Sequence, residues 1–180
     1  MEFIQTPLQG VLLIKPRVFE DPRGYFYESF NATAFEKAGI KENFVQDNQS
    51  LSQTGVLRGL HFQKQPFAQG KLVRVINGTV YDVAVDIRKD SPTFGQWFGA
   101  ELSGQNKMMM YIPVGFAHGF ATLEDNTIFT YKVTNFYSKE SEDCLLWNDP
   151  ALKINWPILN PLLSPKDIEG KLLKDLNSPF

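Results

Sequence analysis

Histidine alone titrates near neutrality without help, so a chain with only two of them offers few candidates for proton transfer. They are His61, in Arg58-Gly59-Leu60-His61-Phe62-Gln63, and His118, in Pro113-Val114-Gly115-Phe116-Ala117-His118-Gly119-Phe120. Both stand among glycines and aromatics, a setting that suits a hydrogen-bonded core histidine as well as a general base. Asp167 has two compatible uses. In Ser164-Pro165-Lys166-Asp167 it falls at the third position of a helix start, where a carboxylate closes a capping box and meets the helix dipole. The same carboxylate, held against His61, would fix the imidazole tautomer and raise its basicity.

Lys71 and Asp82 are the next pair. In Lys71–Asp86, Asn77-Gly78 has the composition of a two-residue type I′ turn between two alternating flanks. That pairing sets Val73 opposite Asp82 and gathers Lys71, Val73, Val75, Val80, Asp82 and Ala84 on one face. On it Lys71 and Asp82 are either an ion pair in a largely apolar setting or a solvated pair on an outer face. Tyr131 shares strand parity with Phe129 and Val133 and reads as a core tyrosine whose hydroxyl finds a partner. Arg23, Glu28, Arg58 and the run Gln46-Asp47-Asn48 are each ordinary surface residues, but together they make a polar ligand site.

Composition narrows the partners. The chain has 180 residues, one cysteine and a formal charge of −2, with no block of lysine or arginine. One domain spanning 1–180 is expected, large enough for a core without disulfides. Neither nucleic acid nor an anionic membrane is indicated as the main partner. Cys144, being alone, offers neither a disulfide framework nor a thiolate metal site. With no cationic leader and no apolar run near membrane-spanning length, a cytoplasmic protein is expected.

The elements that must position these residues read as short strands at close spacing. Strands are expected at 11–15, 24–29, 44–50, 59–63, 71–76, 79–87, 96–102, 107–112, 116–122 and 127–134, rich in branched and aromatic residues. Asn31 caps a helix over Ala32–Ala38, ended by Gly39. A C-terminal helix begins at Ser164, with Pro165 in its first turn, and runs to about Leu176. This is an all-β sandwich or barrel with short peripheral helices.

The ordered set of motifs resembles the dTDP-4-dehydrorhamnose 3,5-epimerase family. It comprises Pro22-Arg23-Gly24 with Phe26 and Glu28, Gln46-Asp47-Asn48, Val56–Gln63, Lys71–Val75 with Asn77-Gly78, Pro113–Phe120, Thr130–Tyr137 and Ser164–Asp167. The resemblance implies a cupin-type jelly roll, a homodimer and a dTDP-linked 4-keto-6-deoxyhexose as substrate, with no cofactor. It implies His61 as general base, Asp167 as its partner, Lys71 as stabiliser of the enolate oxygen and Tyr131 as the acid on the opposite face. Arg23, Glu28, Gln46, Asn48, Arg58, His118, Glu142 and Lys166 fall at positions that bind the nucleotide sugar. Arg58 and His61 differ in strand parity, so a bulge near Gly59 is expected if both reach one ligand. Asp82 is assigned to holding Lys71 charged, from the hairpin register. Phe26, Phe62, Phe136 and Tyr137 are the aromatics available to stack on thymine.

Three rival classes are weighed. A metal-dependent cupin needs about three imidazoles and a carboxylate, where this chain has two histidines and no His-x-His unit. A non-catalytic sugar-nucleotide binder has no need of His61, Lys71, Tyr131 and Asp167 together. A mono-epimerase inverting only C3 or only C5 is closer, and Tyr131 favours competence at both carbons.

Overall fold

A computed structural model describes residues 1–180. Its strands are β1 (Glu2–Gln5), β2 (Leu12–Lys15), β3 (Phe19–Asp21), β4 (Gly24–Phe26), β5 (Gln46–Ser52), β6 (Leu57–Gln63) and β7 (Lys71–Asn77). They continue as β8 (Thr79–Asp86), β9 (Trp97–Ser103), β10 (Met109–Ile112), β11 (Phe116–Thr122), β12 (Thr127–Val133) and β13 (Glu142–Cys144). Helix α1 spans Ala32–Lys37, and α2 spans Pro165–Ile168. A six-stranded sheet, in the order β1-β2-β10-β7-β12-β5, faces a five-stranded sheet ordered β13-β6-β11-β8-β9. Strands β3 and β4 form a separate ribbon. Every pairing in these sheets is antiparallel, and the result is a two-sheet jelly roll. No helix is long and apolar enough to cross a membrane.

The sandwich core interleaves Val73 and Val75, Val80 and Ala84, Met110 and Ile112, Phe116 and Phe120, and Phe129. Burying each of the larger side chains contributes roughly 1.5–3 kcal/mol. β11 is buried at all seven positions, because the C-terminal segment covers the outer face of its sheet. Its sequence accordingly shows no alternation. The other outer face is closed by α1 through Phe35, packed with Leu12, Ile14 and Leu72. Asn31 caps α1 as expected, its Oδ1 accepting from Ala34 N at 3.1 Å.

Two expectations fail. Lys71–Asn77 and Thr79–Asp86 are not a hairpin: β7 pairs with β10 and β12, while β8 pairs with β9 and β11 in the opposite sheet. Asn77-Gly78 is the arch between the sheets, with Gly78 at φ +80. A Cβ there would lie 2.9 Å from Thr127 Cα, so close approach to β12 demands glycine as strictly as a tight turn would. The predicted face nevertheless survives, because alternation within each strand is independent of partner, and the two inner faces meet across the core. The long C-terminal helix is also absent. α2 stops at Ile168, Gly170 follows, and Lys171 bridges to Leu145, leaving only a 3-10 turn at Leu173–Asp175. Strands β1, β3 and β13 are short and were not anticipated.

Candidate active site

A cavity of about 320 Å³ opens between the two sheets. β6 brings Arg58, His61 and Gln63 to it, β7 brings Lys71, β11 brings His118 and β12 brings Tyr131. Glu142 comes from β13, and Lys166 and Asp167 from α2. His61 and His118 stand directly opposite each other in the β6–β11 pair. The register then shifts, so that Phe120 meets Arg58 and two steps on β11 span three on β6. This bulge restores Arg58 to the side of His61, as the parity argument required. A Cβ on Gly59 would lie 2.5 Å from Gly119 Cα, so the strands can close only on glycine.

His61 Nε2 lies 2.8 Å from Asp167 Oδ1. The contact is off the ring's N–H direction, which leaves Nε2 without an aligned hydrogen bond. Asp167 is buried and serves both readings of the sequence. Oδ1 accepts from Gly59 N at 3.0 Å, and Oδ2 accepts from Ser164 N at 2.9 Å and Ser164 Oγ at 2.6 Å. Burial alone would raise its pKa, but the contacts from His61, Ser164 and Gly59 outweigh it and hold the carboxyl far below the usual range.

Lys71 is buried and donates from Nζ to His61 O at 3.1 Å. Burial lowers its pKa to about 8, against the opposing pull of Asp82 and Glu142. Asp82 is fully buried, yet it makes no direct ion pair with Lys71. Its oxygens lie 2.9 and 3.0 Å from His118 Nε2, so it reaches Lys71 only through its field. The hairpin register that suggested direct contact does not exist. Burial pushes the His118 pKa down, and neighbouring Lys71 and His61 add to that against the pull of Asp82. Neutral His118 donates Nε2–H to Asp82, and Nδ1 is left as an acceptor.

Burial raises the Tyr131 pKa, so the phenol keeps its proton near neutrality. Arg58 Nε donates to Ser52 Oγ at 3.2 Å. At the rim, Glu142 Oε2 accepts from Lys166 Nζ at 2.6 Å and from Tyr137 Oη at 3.0 Å.

Four predicted binding residues do not line this cavity. Gln46 and Asn48, on edge strand β5, bond to each other at 2.8 Å beside it, and Gln46 accepts from Tyr137 N at 3.3 Å. Arg23 sits on the β3–β4 ribbon with its side chain 90% exposed and paired to Asp21, and Glu28 accepts from Asn31. Sequence reasoning missed Gln63, whose amide holds the 135–138 loop. Its Nε2 donates to Phe67 O at 2.6 Å and Phe136 O at 3.1 Å, and its Oε1 accepts from Ser138 N at 2.7 Å. The available signal was its parity with His61, two residues away. Cys144, which was expected to offer no metal ligand, stands opposite His61 in the β13–β6 pair. The ligand atoms of His61, Cys144 and Asp167 lie within 4.8 Å of one another. Burial and the nearby Asp167 and Asp143 push the thiol up to about 12.

Chemically, the cavity combines a base backed by a carboxylate, a buried cation and a protonated phenol. That set can remove a proton from an acidic carbon, stabilise the resulting oxyanion and return a proton from elsewhere.

The same arrangement has known relatives. A model of the dTDP-4-dehydrorhamnose 3,5-epimerase family matches residues 5–175. A curated protein of that name from Shigella flexneri is 57% identical over 176 residues, covering 97% of each chain. Another, from Pseudomonas aeruginosa, is 55% identical over 177 residues, again covering 97% of each. Among solved structures, the dTDP-6-deoxy-D-glucose-3,5-epimerase of Legionella pneumophila in complex with dTDP-4-keto-L-rhamnose superposes with a TM-score of 0.95. It is 52% identical, and the match covers 98% of this chain and 94% of that one.

Proposed function

The chain belongs to the dTDP-4-dehydrorhamnose 3,5-epimerase family, and from that membership we propose its chemistry: it inverts C3 and C5 of dTDP-4-dehydro-6-deoxy-D-glucose, giving dTDP-4-dehydro-L-rhamnose. The C4 ketone acidifies the hydrogens on both neighbouring carbons. Each inversion is a proton removed from one face and another returned from the opposite face, with no net oxidation. A redox cofactor therefore has no part in it.

His61 takes the proton, and Asp167 stabilises the imidazolium that forms. Lys71 supplies positive charge to the enolate oxygen, a contribution of about 3–4 kcal/mol in a site that excludes water. Tyr131 returns the proton from the other face. Arg58, His118, Glu142 and Lys166 hold the nucleotide sugar. Asp82 keeps the field at Lys71 negative and fixes the His118 tautomer. The observation that carries this reading is the 2.8 Å approach of His61 to a buried carboxylate, in a cavity where Lys71 donates to the same residue's carbonyl.

Residues 1–180 act as one catalytic domain and, in this reading, as a homodimer. The β3–β4 ribbon lies outside both sheets and exposes Phe19, Tyr25 and Phe26 beside Arg23. Presenting it to a second copy would put Arg23 and Glu28 at that copy's cavity, which lacks them in its own chain. Sedimentation would then give a dimer. Mixing R23A with H61A protein would restore activity through hybrid sites, and no restoration would refute shared sites. A cytoplasmic location fits an unpaired buried cysteine.

Solvent deuterium incorporation, read separately at C3 and C5, tests the reaction. Label at both positions is expected. Label confined to one position would make the protein a mono-epimerase, and label at neither would reject the assignment.

A further inference from the structure

Behind His61, beside the cavity, lies a buried thiol for which the proposed chemistry has no use: Cys144, whose Sγ donates to Leu145 O at 3.3 Å. Cys144 faces His61 across the β13–β6 pair, and antiparallel register directs the two side chains to the same face. With Asp167 they bring a nitrogen, a sulfur and an oxygen donor within 4.8 Å of one another. His61 Nε2, 2.8 Å from Asp167 Oδ1, lacks an aligned hydrogen bond. Hard cations such as magnesium and calcium take all-oxygen shells, whereas imidazole, thiolate and carboxylate together suit zinc and its softer congeners.

We propose that His61, Cys144 and Asp167 form a latent site for a borderline or soft divalent cation, Zn²⁺ or Cd²⁺, whose binding silences the enzyme by occupying the imidazole lone pair. The thiol proton leaves to solvent as the metal–sulfur bond forms. Bond lengths of 2.0–2.3 Å place tetrahedral ligands roughly 3.5 Å apart, so a modest contraction of the cluster completes three positions. A fourth position stays open to water or to a substrate oxygen. The site is inhibitory, distinct from the metal catalysis considered and set aside from the histidine count. Binding stands independently of the proposed function, and only the silencing rests on it.

The test titrates metal-stripped protein with Cd²⁺, following the ultraviolet thiolate-to-cadmium charge-transfer absorption together with solvent deuterium exchange at C3. Absorption is expected to saturate at one Cd²⁺ per chain, with exchange lost in step. C144S should keep its basal exchange, show no such absorption and need at least about tenfold more Cd²⁺ for inhibition. H61N, read by absorption alone, should bind Cd²⁺ at least about tenfold more weakly. No absorption at saturating Cd²⁺, or equal sensitivity of C144S and wild type, overturns the site. Absorption with undiminished exchange overturns the silencing. A metal-free wild type without exchange at any carbon counts against the proposed function, not against the site.

Discussion

His61 and His118 stand opposite each other on neighbouring strands, yet each is committed to a different buried carboxylate, His61 to Asp167 and His118 to Asp82. The two commitments differ in what remains when the imidazole is removed. Asp167 keeps three other donors, from Gly59 N and from Ser164 N and Oγ. Asp82 has no other hydrogen-bond donor, and its residue is fully buried.

Removing the two histidines should therefore have opposite signatures. H61N is expected to lose about 10²–10⁴-fold in proton exchange while its urea midpoint barely moves. H118A leaves a buried charge unpaired and should cost about 3–5 kcal/mol of stability. Urea unfolding of both variants checks this, and near-normal exchange in H61N would remove His61 as the base.

Lys71 sets a pH limit. Its pKa is lowered from 10.5 to about 8 by burial, so the cation is present below pH 8 and is lost as pH rises through that value. Exchange should fall on the alkaline side with that midpoint. K71R should carry the limb upward, and K71M should lose about 10²–10³-fold at every pH. Stability moves the other way. Between about 8 and 10.5 the unfolded chain binds more protons at this residue than the folded one, so the contribution of Lys71 to stability rises with pH there. Denaturation of wild type and K71M across pH 7–11 separates the two effects; a wild-type alkaline limb that K71R leaves in place would contradict the assignment.

Tyr131 makes no hydrogen bond through its hydroxyl within the chain, so Y131F should fold normally, within about 0.5 kcal/mol. Exchange should persist, because His61 is intact, while completed inversion at C5 falls by about 10²-fold. The product's stereochemistry, read by proton NMR alongside the deuterium content, gives the answer; wild-type rate and stereochemistry would remove Tyr131 from the mechanism.

What the sequence disclosed and what it hid have separate physical origins. Alternation within a strand is local, so Lys71, Val73, Val75, Val80, Asp82 and Ala84 could be placed on one face, though not which side that face turns to. Strand partnership is not local. Asn77-Gly78 satisfies a hairpin turn and an arch between sheets equally, and the wrong partner implied a Lys71–Asp82 contact in place of Asp82–His118. The His61–Asp167 pair joins residues far apart in the chain, so the residues alone offered it only beside the cap as a second use of Asp167, and the resemblance singled it out. The C-terminal helix failed because its start signals were genuine while Gly170 and the Lys171 bridge to Leu145 ended it early. Gln63 escaped notice because a glutamine ending a strand carries no chemical signature until its three partners in the chain are known.

Gln63 yields the last prediction. Its amide is buried, and its three hydrogen bonds tie β6 to Phe67, Phe136 and Ser138 on either side of Tyr137. Tyr137 in turn donates to Glu142 at the cavity rim. In Q63A the loop carbonyls turn to water at a cost of about 1–3 kcal/mol, and the rim loses its fixed geometry while His61, Asp167 and Lys71 keep theirs. The expected result is a KM raised by about tenfold with kcat little changed, since a mobile loop weakens binding of substrate and transition state alike. Q63E, which keeps the acceptor for Ser138 N but turns a buried carboxylate oxygen on the Phe67 and Phe136 carbonyls, should bind no better than Q63A. A drop in kcat at constant KM would instead place Gln63 in the proton-transfer machinery.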